Sequence, residues 1–282
     1  MSTPWRRRRW HPPAAVVGVA GLVLTGCSVP SSTSAGQDVA ITHIHAAQRD
    51  PGSGDLLLAT HQGLFRLDDG ALRPVGPVMD LMGFTIDSDG TYLASGHPGP
   101  QSDLPEPLGL ITSEDRGATW TVASRGGQSD FHSLTSSGAT LTGFDGTLRS
   151  TRDRTTWQER PIPSPPRVLA ASPDGTLLAT TAAGLLRSQD DGATWATLTP
   201  PRPVVLVAWA DQSTVVAVTA EGTIATSTDS GESWTLGATA LGEVTSLSAG
   251  RTPEGALEVI TVIEDTVVAT LDQGRTIKVL VQ

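Results

Sequence analysis

The sequence predicts an all-β protein built as a ring of six similar four-stranded units, and three observations carry that expectation. A short run recurs: SEDRGATW (113–120), STRDRTTW (150–157), SQDDGATW (188–195) and STDSGESW (227–234) start 37, 38 and 39 residues apart, and TLDQGRTI (270–277) is a fifth, worn copy. Upstream of each run lie paired apolar segments such as GTLLATTAAGLLRS (175–188) and STVVAVTAEGTIATS (213–227), with the alternating or continuous hydrophobicity of strands. Beyond the N-terminal segment no stretch has helical periodicity of useful length. Four short strands per unit of about forty residues is the pattern of a β-propeller blade.

Taken in order, the first segment is not part of that ring. WRRRRWHPP is a basic stretch, AAVVGVAGLVL is an apolar run of signal-peptide rather than membrane-span length, and LTGC ends at Cys27. This resembles the lipobox of bacterial lipoproteins, which implies removal of residues 1–26 and a lipid on Cys27. Export by the general or the twin-arginine route stays open. Cys27 is the single cysteine, so disulfides and CxxC metal sites are excluded. Residues 27–38 then read as the lipidated Cys followed by a polar tether, and 39–282 as the propeller.

Blade one spans AITHIHAAQRDPGSGDLLLATHQGLFRLDDGALRPV and lacks a proper recurrent run. Blades two to five end at Trp120, Trp157, Trp195 and Trp234, and the sixth at the C-terminus. How the first and last blades close the ring is not readable from this pattern.

The recurrent run, S-x-D-x-G-x-x-W, resembles the Asp box of the BNR (bacterial neuraminidase) repeat, found in sialidases, sortilin-type receptors and photosystem assembly factors. The residues that carry it are Ser113, Asp115, Gly117 and Trp120; Asp153 and Trp157; Ser188, Asp190, Gly192 and Trp195; and Ser227, Asp229, Gly231 and Trp234. Short polar side chains accept backbone N–H bonds in a tight turn, Gly supplies a positive φ, and the indole anchors on the blade. These carboxylates are therefore expected to hold turns, and the four Trp residues to be core.

Charge narrows the function. The chain has a formal net charge of -10, but Arg6 to Arg9 precede the first acid, Asp38; without those four, 15 basic residues face 29 acidic ones. So acidic a body does not suit nucleic acid, whose binding rests on neutralising phosphate. The implied partner is the membrane, through the lipid, with a protein partner left open and the chain expected as a monomer.

Three functions remain. A sialidase-like glycoside hydrolase would need a Tyr nucleophile and an arginine cluster. The single tyrosine, Tyr92, lies in GTYLASG, a second strand, and Arg149, Arg152 and Arg154 surround the degenerate run on the other face. A different hydrolase would have to use acids such as Asp80 or Asp130. A protein-interaction scaffold would instead present a broad patch.

The third reading comes from the histidines. Apart from His11, all five lie between residues 43 and 132. THIHAA (42–47), MDLMGF (79–84) and SDFHSL (129–134) align as the starts of innermost strands, so His43 matches Asp80 and Asp130, while His45 matches Met82 and His132. Positions i and i+2 of a strand share a face. His61 and His97 align at the ends of second strands. The two sets are expected to meet at one mouth of the central channel, under the Pro-rich loop PGPQSDLPEPLG (98–109), as a transition-metal or small-ligand site. Imidazole with a thioether leans towards Cu and imidazole with carboxylate towards harder ions, so Cu and Zn are both candidates.

HIHAAQRDPGSGDLLLATHQGLFR, DLMGF, SGHPGP and PLGLITSEDRGATW also resemble a group of bacterial sialidase-like or glycosyl-hydrolase-like BNR lipoproteins. The resemblance runs from about His43 to Trp157, departs where HIHAA lacks a Gly after the second His, and implies a glycosyl-hydrolase name that rests on fold analogy.

Overall fold

The computed structural model describes residues 41–282; the expected signal segment, Cys27 and the expected tether lie outside them. Its 24 strands form six four-stranded sheets, each made from four consecutive strands paired in sequence order. The six-bladed all-β propeller expected from the repeat count is the observed architecture. Inner strands run Ile44–Arg49, Met79–Ile86, Ser133–Ser136, Pro166–Ala171, Val204–Trp209 and Val244–Arg251, and each packs on the next around a central channel.

The strands form where β-branched and aliphatic residues fill both faces. Second strands such as Leu56–Thr60 and Val215–Thr219 are buried at every position, because neighbouring blades cover them from both sides. Leu57, Leu64, Met79, Leu81 and Ile111 interlock blades one and two. Each such side chain withdrawn from water is worth roughly 1.5–3 kcal/mol.

Ring closure needs no exchanged strand among the described residues. Ile44, Leu56 and Leu58 of blade one pack on Ile260, Val262 and Val267 of blade six. Across the same seam Arg49 forks onto Glu258 with two bonds of 3.0 Å, and the Ser248 hydroxyl donates to the Ala47 carbonyl at 2.6 Å.

The recurrent runs join third to outer strands as one hydrogen-bonded turn. Gly117 N–H donates to Ser113 Oγ at 2.8 Å, and that hydroxyl donates to Asp115 Oδ1 at 2.8 Å. Thr119 gives the same carboxylate its N–H at 2.8 Å and its hydroxyl at 2.6 Å. Asp190, Asp229 and Asp272 repeat the set with Ser188, Ser227 and Thr270. The residue before each Gly is forced to positive φ: Arg116 at 60°, Asp191 at 56° and Ser230 at 59°. In STRDRTTW the turn is one residue shorter, so Thr151 rather than Ser150 donates to Asp153, and Arg154 takes the positive φ. Donors on every side hold Asp115, Asp190 and Asp229 down to about 2, led by the hydroxyls of Thr119, Thr194 and Ser233.

The expectation that all four Trp residues are core needs correction. Trp120 is buried, but Trp157, Trp195 and Trp234 are half-buried. They lie over the apolar clusters as lids, each indole N–H satisfied: Trp157 on Ser124 Oγ, Trp195 on the Pro161 and Gly192 carbonyls, Trp234 on the Gly231 carbonyl. An outer strand has no further strand beyond it, so one face of the ring meets water.

Candidate functional site

Inner strands begin at the mouth, and there the backbone does something the sequence pattern hides. In five blades the ladder between inner and second strand slips by one residue at the same place, leaving His45, Met82, Arg167, Val205 and Thr245 unopposed. His132 holds the equivalent place in blade three, one residue before its inner strand. A β-bulge re-aims the extra side chain. His45, Met82, His132, Arg167 and Thr245 accordingly line a central cavity of about 1020 Å³. The proposed equivalence of His45, Met82 and His132 thus holds, but the shared-face reasoning for His43 does not, because His43 precedes its strand and His45 is the bulge residue.

The histidines and acids nonetheless gather, in two adjoining groups. In the first, the rings of His43, His45 and His61 lie 4.6–5.4 Å apart by centroid. Asp80 of blade two reaches this group, with Oδ2 2.8 Å from His61 Nδ1 and Oδ1 3.3 Å from His45 Nε2. The shorter contact involves the exposed ring of His61, while the longer one does not meet hydrogen-bond geometry. His45 Nε2 and Asp80 Oδ1 are thus both buried without a hydrogen-bond partner. One donor atom each from His45, His61 and Asp80 falls within a 4.8 Å sphere of mutual separation, the one such group among the described residues.

In the second group, Asp130 Oδ2 lies 2.5 Å from His132 Nε2 and 3.2 Å from His97 Nε2, and the other nitrogen of His97 meets Glu106 Oε1 at 2.5 Å. Asp130 Oδ1 is buried and unpartnered. Asp80 therefore meets imidazoles through both oxygens and Asp130 through one. Met82 lines the channel beside His45 and His132.

Two glycines let these segments approach. Gly96 has φ +144°, and a Cβ there would fall 2.0 Å from the Asp80 carbonyl oxygen; one at Gly83 would fall 2.3 Å from that of Phe131. Phe131 is fixed between Asp130 and His132 by its N–H on Ser95 Oγ and by its ring stacked on Trp157.

The electrostatics separate the groups. Burial lowers His45 to about 4, outweighing the attraction of Asp80, so its ring is neutral and able to donate a lone pair at neutral pH. His97 is shifted the other way: its hydrogen bond to Glu106, helped by the charge of Asp130, favours the imidazolium.

Two residues were missed by sequence reasoning. Glu106 comes from the Pro-rich loop, which is pinned to the mouth by Leu108 N–H on the Gly96 carbonyl and Gly127 N–H on the Pro107 carbonyl. No periodicity marks it. Arg167 could have been found by extending the inner-strand alignment to blade four, where it stands at the His45 position.

Fold and site together define a six-bladed all-β propeller with an imidazole–carboxylate cluster at one mouth of its channel. No family model and no curated protein matches the sequence. Solved structures do resemble it. The extracellular domain of a B. thetaiotaomicron protein described as a hybrid two component system is 11% identical with a TM-score of 0.58, over 87% of this chain and 34% of that one. A GH74 enzyme of Niastella koreensis is 18% identical at 0.58, over 84% and 37%. A protein described as a gluconolactonase is 14% identical at 0.61, over 86% and 90%. The chain thus spans about a third of the first two. At these identities the likeness is one of fold. Among the described residues no helix is long and apolar enough to cross a membrane.

Proposed function

We propose that the protein is a lipid-anchored extracytoplasmic propeller of the Asp-box type that binds a transition-metal ion through His45, His61 and Asp80. The observation that carries this reading is that His45 Nε2 and Asp80 Oδ1, both buried and without a hydrogen bond, stand 3.3 Å apart beside His61. Leaving two such atoms unsatisfied costs about 1–3 kcal/mol each, a cost that a bound cation removes.

The donor set fits the chemistry. Ligands at 2.0–2.2 Å from a tetrahedral ion stand roughly 3.3–3.6 Å apart. His45 Nε2 and Asp80 Oδ1 already have that spacing at 3.3 Å, and a donor atom of His61 lies within 4.8 Å of both residues' donors. Two imidazoles and a carboxylate suit Zn(II) or Cu(II), and Cu(I) would draw on the thioether of Met82 instead. Three protein ligands leave a position for water or a small molecule, the arrangement of sites that take a further ligand.

The recurrent turns support the Asp-box assignment through their repeated Ser–Asp–Gly hydrogen bonds, and the apolar run ending in LTGC supports the anchor. A sialidase mechanism loses its nucleophile here: Tyr92 is buried, donates its hydroxyl to Asp50 at 2.6 Å and is pushed well above its ordinary range, chiefly by burial and then by that bond.

The test is calorimetric titration of the chain with Zn(II) and Cu(II) salts, for the parent, His45→Ala, His61→Ala and Thr181→Ala, the last a distant turn residue. The parent and Thr181→Ala should bind one ion with equal affinity, and both His variants should lose it. Equal binding by all four, or none by the parent, overturns the reading.

A further inference from the structure

We infer that the metal-loaded mouth binds a small organic dianion of the dicarboxylate class, with one carboxylate on the ion and the other on Arg167. The inference rests on the metal reading above and extends it to the ligand.

Arg167 occupies in blade four the bulge position that His45 occupies in blade one. In a ring of six, blade four faces blade one across the channel, so the bulge that turns His45 towards the cavity turns Arg167 towards it from the opposite wall. Both line the same cavity of about 1020 Å³.

The guanidinium stands apart from the other cations of the cavity. Arg49 is forked onto Glu258, and Arg251 gives two bonds, of 2.9 and 2.7 Å, to Asp211. Arg167 is exposed, and no ion pair or side-chain hydrogen bond among the described residues involves it. Arg presents a planar fork matched to a carboxylate. A fork left open towards a roomy cavity, across from His45, the one member of the three-ligand cluster that lines it, is the second half of a two-point site. The cavity has the size of pockets that enclose small molecules.

Charge makes the two halves depend on each other. Asp80, Asp130 and Glu106 make the unloaded mouth repel an anion. A divalent ion on His45, His61 and Asp80 reverses the sign locally and offers the remaining coordination position. Metal and dianion should therefore bind with positive coupling, each strengthening the other by the same factor.

The experiment uses the chain with and without Zn(II) and titrates glutarate as the dianion and butyrate as the monoanion of similar length, for the parent and Arg167→Gln. Zn(II) alone should bind parent and variant equally. Glutarate should bind the Zn-loaded parent, bind Arg167→Gln at least tenfold more weakly, and not bind the metal-free parent; butyrate should bind parent and variant alike. Glutarate binding that is unchanged by Arg167→Gln, or absent from a parent that has taken up Zn(II), overturns the dianion site and leaves the metal site standing. A parent that takes up no Zn(II) overturns the metal site itself.

Discussion

Asp80 and His97 are directly paired on neighbouring strands of blade two, yet their side chains serve different imidazole groups. Asp80 turns back to His61 of blade one, at 2.8 Å, while His97 reaches forward to Asp130 of blade three, at 3.2 Å. Blade two is thus the junction between the ligand-like group of His45, His61 and Asp80 and the group in which His97 is held towards its imidazolium.

That division can be measured. Asp80→Asn keeps the shape and removes the charge, and should weaken Zn(II) by at least about 100-fold, because changes to a ligand's outer partners alone cost roughly 10–100-fold and Asp80 is a ligand. Glu106→Gln should leave Zn(II) affinity within about threefold. It should also lower the His97 pKa towards 6.5, since the bond to Glu106 is the main cause of its elevation. Calorimetry reads the first and an NMR pH titration of the ring protons the second.

The lowered pKa of His45 has a sign for stability. Between its ordinary 6.5 and about 4 the unfolded chain binds a proton that the folded one refuses, so folding is favoured above that window and progressively penalised as pH falls through it. His97, with a raised pKa, acts oppositely, contributing stability below 6.5 that is lost as pH rises through its folded value. Urea midpoints of the parent and His45→Gln between pH 7 and 4 isolate the first effect. The parent should lose stability more steeply on acidification, and parallel curves would show that His45 is not buried neutral.

Half-burial of three indoles makes a graded series. Trp120→Ala should cost about 3–5 kcal/mol, the usual range for deleting a buried aromatic. Trp195→Ala should cost less, about 2–3 kcal/mol, because part of its surface already meets water. Neither should alter Zn(II) affinity in the folded protein, since both lie in the turns between third and outer strands. Denaturant unfolding checks the order of the two.

Gly96→Ala tests the approach of backbone to site. The strained φ and a Cβ placed against the Asp80 carbonyl should destabilise by about 1–3 kcal/mol and displace Asp80 from His61. Zn(II) affinity should fall together with the midpoint, whereas Gly70→Ala, with φ +77° but no atom within 4 Å of its Cβ, should lower the midpoint alone.

The anchor is tested outside the described residues. Cys27→Ser should move the protein from the membrane fraction to the soluble one, because a single chain binds marginally and processing at Cys27 is what would attach several. A variant that stays with the membrane points to AAVVGVAGLVL as an uncleaved span.

The repeat spacing determined by itself the class, the number of blades and the equivalence of His45, Met82 and His132, because a blade is a local unit whose strands and turns lie within forty residues of one another. It also placed His61 and His97 at one mouth, since strand order fixes which ends meet. The tertiary structure decided the rest. The one-residue slip that aims His45 and Arg167 into the channel depends on pairing between strands, which hydrophobic alternation does not record. Glu106 reaches His97 only because backbone bonds from two other segments hold its loop down. Asp80 and Asp130 look alike in sequence, but each takes its role from imidazoles of a neighbouring blade or strand. The seam between Arg49 and Glu258 follows from closing the ring, and the half-exposed indoles from the lack of any strand beyond an outer strand.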